Sequence, residues 1–485
     1  MAHVKSIGIA ALPLLFICLW PYALQAELRI WNDSSGKYQI EATFLRYEKG
    51  DVYLKKTDGQ EIALRITKLG PAEQKWVRER LRNPVSTASA QPGEDWPAWR
   101  GPHGNSIAGG AAAPTEWDNV KNVVWKVPIP GRGHSSPVIV GDHLYLTQAD
   151  ERNGEQAVVC YGLRDGQEVW RRVTNSEGGF PEKIHSKNSH ATPTVACVGD
   201  RLFVTFNHHD KVELTALDRA TGEIRWQKDA GPFAPEQYEF GYAPSPMVHG
   251  DLVYVASEFE QGFLAAFRQS DGKEVWRQPR TSTSYSTPIV ARVAGRDQLL
   301  LSGQLKISAY DPKTGKPLWT SEGPSKATCG TLVWEDDLVF ASGGFPESQT
   351  MAVKADGSGE VVWANREKCY EQSMVVHNGY LYAFNDNGIA LCWNAKTGEE
   401  MWKNRLGGPV SASPVIGGEH LYFTNERGSV YVVKTNPKKF ERVAENRLGA
   451  ETFATPTIHQ GRIYHRYSER QGDVLQEYLI CIAAE

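Results

Sequence analysis

Ala216-Leu217-Asp218-Arg219-Ala220-Thr221-Gly222-Glu223-Ile224-Arg225-Trp226 is one copy of a pattern that runs through most of this chain. An apolar strand ends at an aspartate, a Thr-Gly turn reverses the chain, and the next strand presents a tryptophan. Upstream of each such unit, a Ser-Pro or Thr-Pro followed by apolar residues opens the copy: Ser136-Pro137, Thr192-Pro193, Ser245-Pro246, Thr287-Pro288, Ser413-Pro414 and Thr455-Pro456. Weaker starts stand at Thr331-Leu332 and Ser373-Met374, so the eight starts lie 56, 53, 42, 44, 42, 40 and 42 residues apart. Each copy holds four short strands, as the turn at Gly250-Asp251 and the strand Leu252–Val255 show in the third. Four strands repeated at this period predict an all-β fold, an eight-bladed β-propeller.

The tryptophans Trp170, Trp226, Trp276, Trp319, Trp363 and Trp402 mark the fourth strands of six copies, while the seventh has Phe440 nearby. The eighth copy ends at Leu479-Ile480-Cys481-Ile482 without a fourth strand. Val123-Val124-Trp125-Lys126-Val127 has the fourth-strand pattern with no copy before it, so it is expected to complete the eighth sheet and remove an exposed edge. Ten residues before the tryptophans stand Cys160, Ala216, Ala266, Ala309 and Cys392, and Cys481 takes that place in the last copy. A position that accepts Ala or Cys reads as a small buried slot between neighbouring sheets, with inert thiols.

Composition narrows the function. Lys plus Arg number 53 against 57 Asp plus Glu, a net charge of -4 without long runs of either sign, which argues against nucleic acid as a partner. Lys5, the apolar stretch Ile7–Trp20 and Ala26 read as a cleaved export signal over residues 1–26. About fourteen apolar residues broken by Pro13 are too few to span ~30 Å of hydrocarbon, and Ile17 before Cys18 does not suit a lipoprotein. The remainder is expected outside the cytoplasm, in the periplasm or the medium, with no membrane span and as a monomer. Cys160, Cys197, Cys329, Cys369, Cys392 and Cys481 contain no C-x-x-C pair, so zinc-ribbon, thioredoxin and c-type haem motifs are unsupported. No G-x-S-x-G, H-E-x-x-H or P-loop occurs. His208-His209-Asp210 falls at a hairpin tip.

Residues 27–83 have a different character. Strands over Tyr38–Tyr47, Asp51–Lys56 and Glu61–Ile66 are separated by Lys49-Gly50 and Asp58-Gly59, and a helix opens at Pro71 with Trp76 and Leu81 facing inward. Residues 84–95 (PVSTASAQPGED) read as a flexible linker, with the propeller over 96–485.

Arg29-Ile30-Trp31, the run Gly36 to Phe44, Val52 to Lys56 and Lys68-Leu69 resemble the SLA1 homology domain 1 (SHD1) family. That resemblance implies an SH3-like barrel and a peptide- or protein-binding role, since members of that family act as adaptors. The longer repeats resemble the pyrroloquinoline quinone (PQQ) repeat family, best at Asp218, Thr221, Gly222, Trp226 and at Asp311, Thr314, Gly315, Trp319. Trp96-Pro97-Ala98-Trp99-Arg100-Gly101-Pro102 and Pro130 to Pro137 are similar to exported PQQ-like, BamB-like proteins. Two functions follow from the resemblance. One is a non-catalytic binding scaffold with a protein, peptide or small polar ligand and no cofactor. The other is a quinoprotein alcohol or sugar dehydrogenase holding PQQ and calcium, whose site needs clustered oxygen donors, a carboxylate base and in many members a disulfide of adjacent cysteines. The adjacent cysteines are absent and no motif supplies the metal ligands, so the binding scaffold is preferred.

The first strand of each blade lines a propeller axis, so residues before each start are expected at one mouth. Two positions upstream stand His134, His190, Ala243, Tyr285, Cys329, Glu371, Ser411 and Phe453, and Arg132, Asn188, Tyr242, Tyr370, Gln372 and Glu451 lie close by. The expected ligand site is Arg132, His134, Asn188, His190, Tyr242, Tyr285, Tyr370, Glu371 and Gln372, with Gly179–His185 and Pro232–Phe240 as a partial lid and no catalytic residue.

Overall fold

A computed structural model describes residues 28–35, 37–48, 50–82 and 94–484. The signal and most of the linker lie outside them. The chain divides into two compact units, Met1–Pro84 and Val85–Glu485. In the first, β1 (Leu28–Asn32), β2 (Gln39–Glu48), β3 (Asp51–Lys56) and β4 (Glu61–Arg65) form an antiparallel meander followed by α1 (Pro71–Arg82). Trp31, Ala42, Val52, Leu54, Leu69 and Val77 make its core, and the Trp31 indole donates to the Ala42 carbonyl at 2.9 Å. The Trp76 and Leu81 side chains fall outside the described ones.

Among the described residues the second unit holds seven four-stranded antiparallel sheets and one, from the seventh copy, that adds a short parallel fifth strand to its four; all but the last draw their four antiparallel strands from one copy of the repeat. In the first sheet β7 (Val138–Val140), β8 (His143–Asp150), β9 (Glu155–Gly162) and β10 (Glu168–Asn175) pair in sequence order. Two segments precede it in the chain, β5 (Ile107–Ala108) and β6 (Val123–Ile129). The last sheet joins Thr457–His459, Arg462–Gln471 and Val474–Ala483 to β6, with Trp125 opposite Cys481. The orphan strand before the first copy thus completes the last one. A buried Arg466–Glu477 pair fastens this seam: Arg466 Nη1 donates to the Thr147 carbonyl at 2.7 Å, and Glu477 accepts the Gly133 amide at 3.2 Å.

One row of side chains recurs across the sheets. Tyr145, Cys160 and Trp170 are paired neighbours in the first, as are Phe203, Ala216 and Trp226, then Tyr254, Ala266 and Trp276. The aromatic ring and the indole approach over the small residue, at 5.9 Å between Tyr145 and Trp170 and 5.8 Å between Phe203 and Trp226. The Ala/Cys position is therefore set by the tryptophan opposite it on its own sheet, not only by the next sheet as expected. Burial pushes the Cys160 thiol up to about 12, as suits inert packing. The six described cysteines are free.

Five of the tryptophans also dock on a glycine of the neighbouring sheet. A Cβ placed on Gly222 would lie 2.6 Å from the Trp170 ring, and Gly166, Gly272, Gly315 and Gly398 face Trp125, Trp226, Trp276 and Trp363 in the same way. The indole N–H of Trp125, Trp226, Trp276 and Trp363 donates to a turn carbonyl of that neighbour, Trp226 to Gln269 at 3.1 Å and Trp276 to Pro312 at 2.9 Å, whereas Trp319 donates to Gln298 of its own sheet at 2.6 Å. Apolar clusters fill the spaces between consecutive sheets, and one of them joins the seventh, eighth and first. His209 and Asp210 sit at positive φ in the two-residue hairpin turn expected there.

Candidate functional site

The inner ends of the sheets are stitched together by the hydroxyls that open each copy. The Ser136 amide donates to Thr194 Oγ1 at 3.0 Å, Thr194 to Ser245 Oγ at 2.9 Å, and Ser245 to Thr287 Oγ1 at 3.0 Å. Thr331, Ser373 and Ser413 donate in the same way to Ser373, Ser413 and Thr455, each at 2.9 Å. This ring corrects the second start. Thr194, not Thr192, occupies the equivalent place, 58 residues after Ser136 and 51 before Ser245.

Those eight hydroxyl residues line one axial cavity of about 380 Å³, together with His134, Ala243, Tyr285, Cys329, Glu371, Ser411 and Phe453. Thr192 takes the place expected for His190. The two-residue shift turns His190 away: its ring stacks on Phe180 at 4.5 Å and lies 3.7 Å from Glu151. Asn188 and Tyr370 also line the cavity. Three other expected residues do not. Tyr242 is buried with its hydroxyl donating to the Ala256 carbonyl at 3.0 Å, because an aromatic core forms around it with Phe233. Gln372 is buried and donates to the Phe384 carbonyl at 2.7 Å. Arg132 borders a neighbouring cleft and donates to the Ser186 carbonyl at 3.1 Å.

Two segments close the mouth. The stretch Phe180–Asn188 and the stretch Phe233–Tyr242 touch where Asn188 donates to the Phe240 carbonyl at 2.7 Å and His185 meets the Phe240 ring at 5.2 Å. Tyr285 ties the second stretch to the wall by donating to the Tyr238 carbonyl at 2.7 Å. Lys187 reaches across the channel to the sixth and seventh copies. Its ammonium lies 3.2 Å from Glu371 and 2.8 Å from Glu426, and the Ser411 hydroxyl sits within hydrogen-bond reach of both carboxylates, with one proton to donate to either. Burial works against the charged lysine, yet the two carboxylates outweigh it and raise its pKa. His134 stacks on Phe453 at 4.6 Å, and burial, helped by Arg132 and Arg466, holds it well below the usual imidazole range and neutral.

The opposite end is also crossed. Trp96 pairs with Ile139, the Pro97 carbonyl accepts the Cys197 amide at 2.7 Å, and the Trp99 indole donates to Thr331 Oγ1 at 2.9 Å. Arg100, buried, donates to the Met374 carbonyl at 2.7 Å, and β5 pairs with Val415–Gly417. Glu94 and Asp95, counted in the linker from sequence, are held by His459 and Gly141. Neither Lys187, Glu426 nor Trp99 was singled out in sequence as a site residue. Lys187 belongs to an insertion outside the repeat, so no periodicity marks it.

The cavity suits a calcium–quinone centre poorly. Glu371 is the carboxylate that lines it, and Lys187 and Ser411 already engage it. Among the described residues no three His, Cys, Asp or Glu side chains converge as a metal site.

A closed set of four-stranded sheets around an axial cavity, tied by Ser/Thr-Pro starts and tryptophan docks, defines a β-propeller of the PQQ-repeat class. The family model described as "Outer membrane protein assembly factor BamB" matches residues 154–404 and 347–437, and the chain belongs to that family. Residues 22–84 match SLA1 homology domain 1, SHD1. A quinone-dependent 1-butanol dehydrogenase of Thauera butanivorans is 27% identical over 47% of this chain, which spans 37% of that enzyme's length. An outer membrane protein assembly factor BamB of Moranella endobia is 25% identical over 58% of this chain and 70% of its own. Among solved structures, BamB of Moraxella catarrhalis superposes with TM-score 0.53 at 18% identity, over 74% of this chain and 96% of its own. A europium-containing methanol dehydrogenase gives 0.57 at 12% identity, over 83% and 100%. These likenesses establish the fold alone.

Proposed function

We propose that this chain is an exported, non-catalytic binding protein: an eight-bladed propeller whose axial cavity takes a ligand, preceded by an SH3-like unit that offers a second surface for a protein or peptide. Export follows from residues 1–26, with the mature chain starting near Glu27, and the two units are joined by a linker from residue 84. The observation that carries the reading is the scarcity of carboxylates in the cavity. A quinoprotein needs several oxygen donors for its cation and a further carboxylate as base, whereas Glu371 is the one carboxylate among the described residues that line this cavity. Similarity to BamB supports a role in protein binding, and similarity to the butanol dehydrogenase favours the alternative of PQQ with calcium. Reconstitution decides between them. Purified protein incubated with PQQ and Ca²⁺ is expected to show neither saturable quinone absorbance nor dye-linked oxidation of alcohols or sugars. Turnover dependent on both additions would overturn the reading.

A further inference from the structure

The cluster at the mouth has a lopsided composition. Two carboxylates, Glu371 and Glu426, and the Ser411 hydroxyl surround one ammonium, so one negative charge is in excess, and that ammonium comes from the closing segment and not from the wall. Lys368 does not balance it, being set 3.9 Å from Asp386. The surrounding wall is aromatic, with Tyr285, Tyr370 and Phe453 from three different copies. A second feature of the same cavity is independent of the acids. Of its eight ring hydroxyls, six accept a backbone amide and Thr331 accepts the Trp99 indole. Ser136 Oγ is the exception: its residue is 3% exposed, it lines the cavity, and among the described residues it has no hydrogen-bond partner. A buried hydroxyl left unmatched in a cavity is a vacancy for a ligand's polar atom.

We propose that the axial cavity binds a primary alkylammonium bearing a second polar group, and that Lys187 is the chain's own stand-in for that ligand. The carboxylates take the charge, the aromatic faces favour a cation, the apolar wall takes the methylenes, and Ser136 receives the far polar group. A cavity of about 380 Å³ admits a molecule of this size or a single lysine side chain of a partner protein. Binding requires Lys187 to withdraw, so the apparent affinity of the intact chain is reduced by the fraction in which it remains seated. This inference rests on reading the cavity as a binding site.

The test is calorimetric titration of the full chain with 5-aminopentan-1-ol, with uncharged 1,5-pentanediol as control. Lys187→Ala is expected to bind the amine roughly tenfold or more tightly than the native chain, because the internal competitor is gone. Adding Glu371→Gln to that variant should abolish the gain, and the diol should bind neither. Lys187→Met keeps the length of the side chain and serves if the alanine variant unfolds in circular dichroism. Acetyl-Gly-Lys-Gly-amide separates the sources: tighter binding than the free amine assigns the site to a protein lysine, weaker binding to a small metabolite-sized amine. Equal binding of amine and diol, no gain on removing Lys187, or an unchanged affinity in Glu371→Gln would overturn the proposal. Quinone-dependent turnover in reconstitution would instead defeat the binding reading beneath it, so the two failures are distinguishable.

Discussion

Gly222 holds φ at +70° with the Trp170 ring against it, and Gly166, Gly272, Gly315 and Gly398 repeat both conditions with φ between +68° and +73°. Two separate penalties would meet any side chain there. The left-handed backbone costs an L-residue about 1–2 kcal/mol, and forcing a methyl into a filled space adds roughly 1–3 kcal/mol. Gly199 isolates the first term, since its φ is +58° but nothing lies within 4 Å of its absent Cβ. Gly222→Ala is therefore expected to lower stability in urea by about 2–5 kcal/mol, and Gly199→Ala by the backbone part alone, about 1–2 kcal/mol. Equal losses would show that the tryptophan contact contributes nothing. The turn and the tryptophan of its own hairpin were legible in sequence as a motif, Thr221-Gly222 and Trp226 standing within six residues, but the contact was not, because Gly222 meets Trp170 of the preceding copy, 52 residues away. The same local logic misplaced the second start: Thr192-Pro193 carries the proline, but Thr194 carries the hydrogen bonds.

At the scale of elements, β6 does more for the molecule than its seven residues suggest. It pairs along Val474–Ala483 from Glu477 to Ile482 and brings Trp125 onto Gly166 of the first sheet. Its role could be read from sequence because a fourth-strand pattern stood alone before the first copy while the last copy lacked one. Without it, Val474–Ala483 becomes an open edge carrying unpaired amides and carbonyls. Deleting Val123–Ile129 is expected to lower the thermal midpoint further than deleting residues 29–83, and to produce concentration-dependent association in light scattering. A similar loss from both deletions would mean that the junction is not what holds the second unit closed. β5 and the Trp96–Ser106 path across the inner strands were not legible. Their contacts reach partners 232, 274 and 309 residues further along the chain, and no repeat encodes them.

For the whole molecule, the repeat supplies a ring of near-equivalent inner strands, and the non-repeated segments give the ring its individuality. Seven of the eight residues expected two positions before the starts do line the cavity, since alternation along a strand fixes which way they face. What sequence could not supply is the closure. Lys187 pairs with Glu371 across 184 residues, and only the folded ring brings them together. The mouth is therefore latched, with Lys187 holding Phe180–Asn188 over the cavity and that stretch in turn holding Phe233–Tyr242. Amide hydrogen exchange followed by mass spectrometry, comparing the native chain with Lys187→Ala, reads this directly. Faster exchange confined to residues 180–188 and 233–242, with the inner strands unchanged, is the predicted result. Unaltered exchange in both stretches would contradict the latch and leave Lys187 as an ordinary surface ion pair.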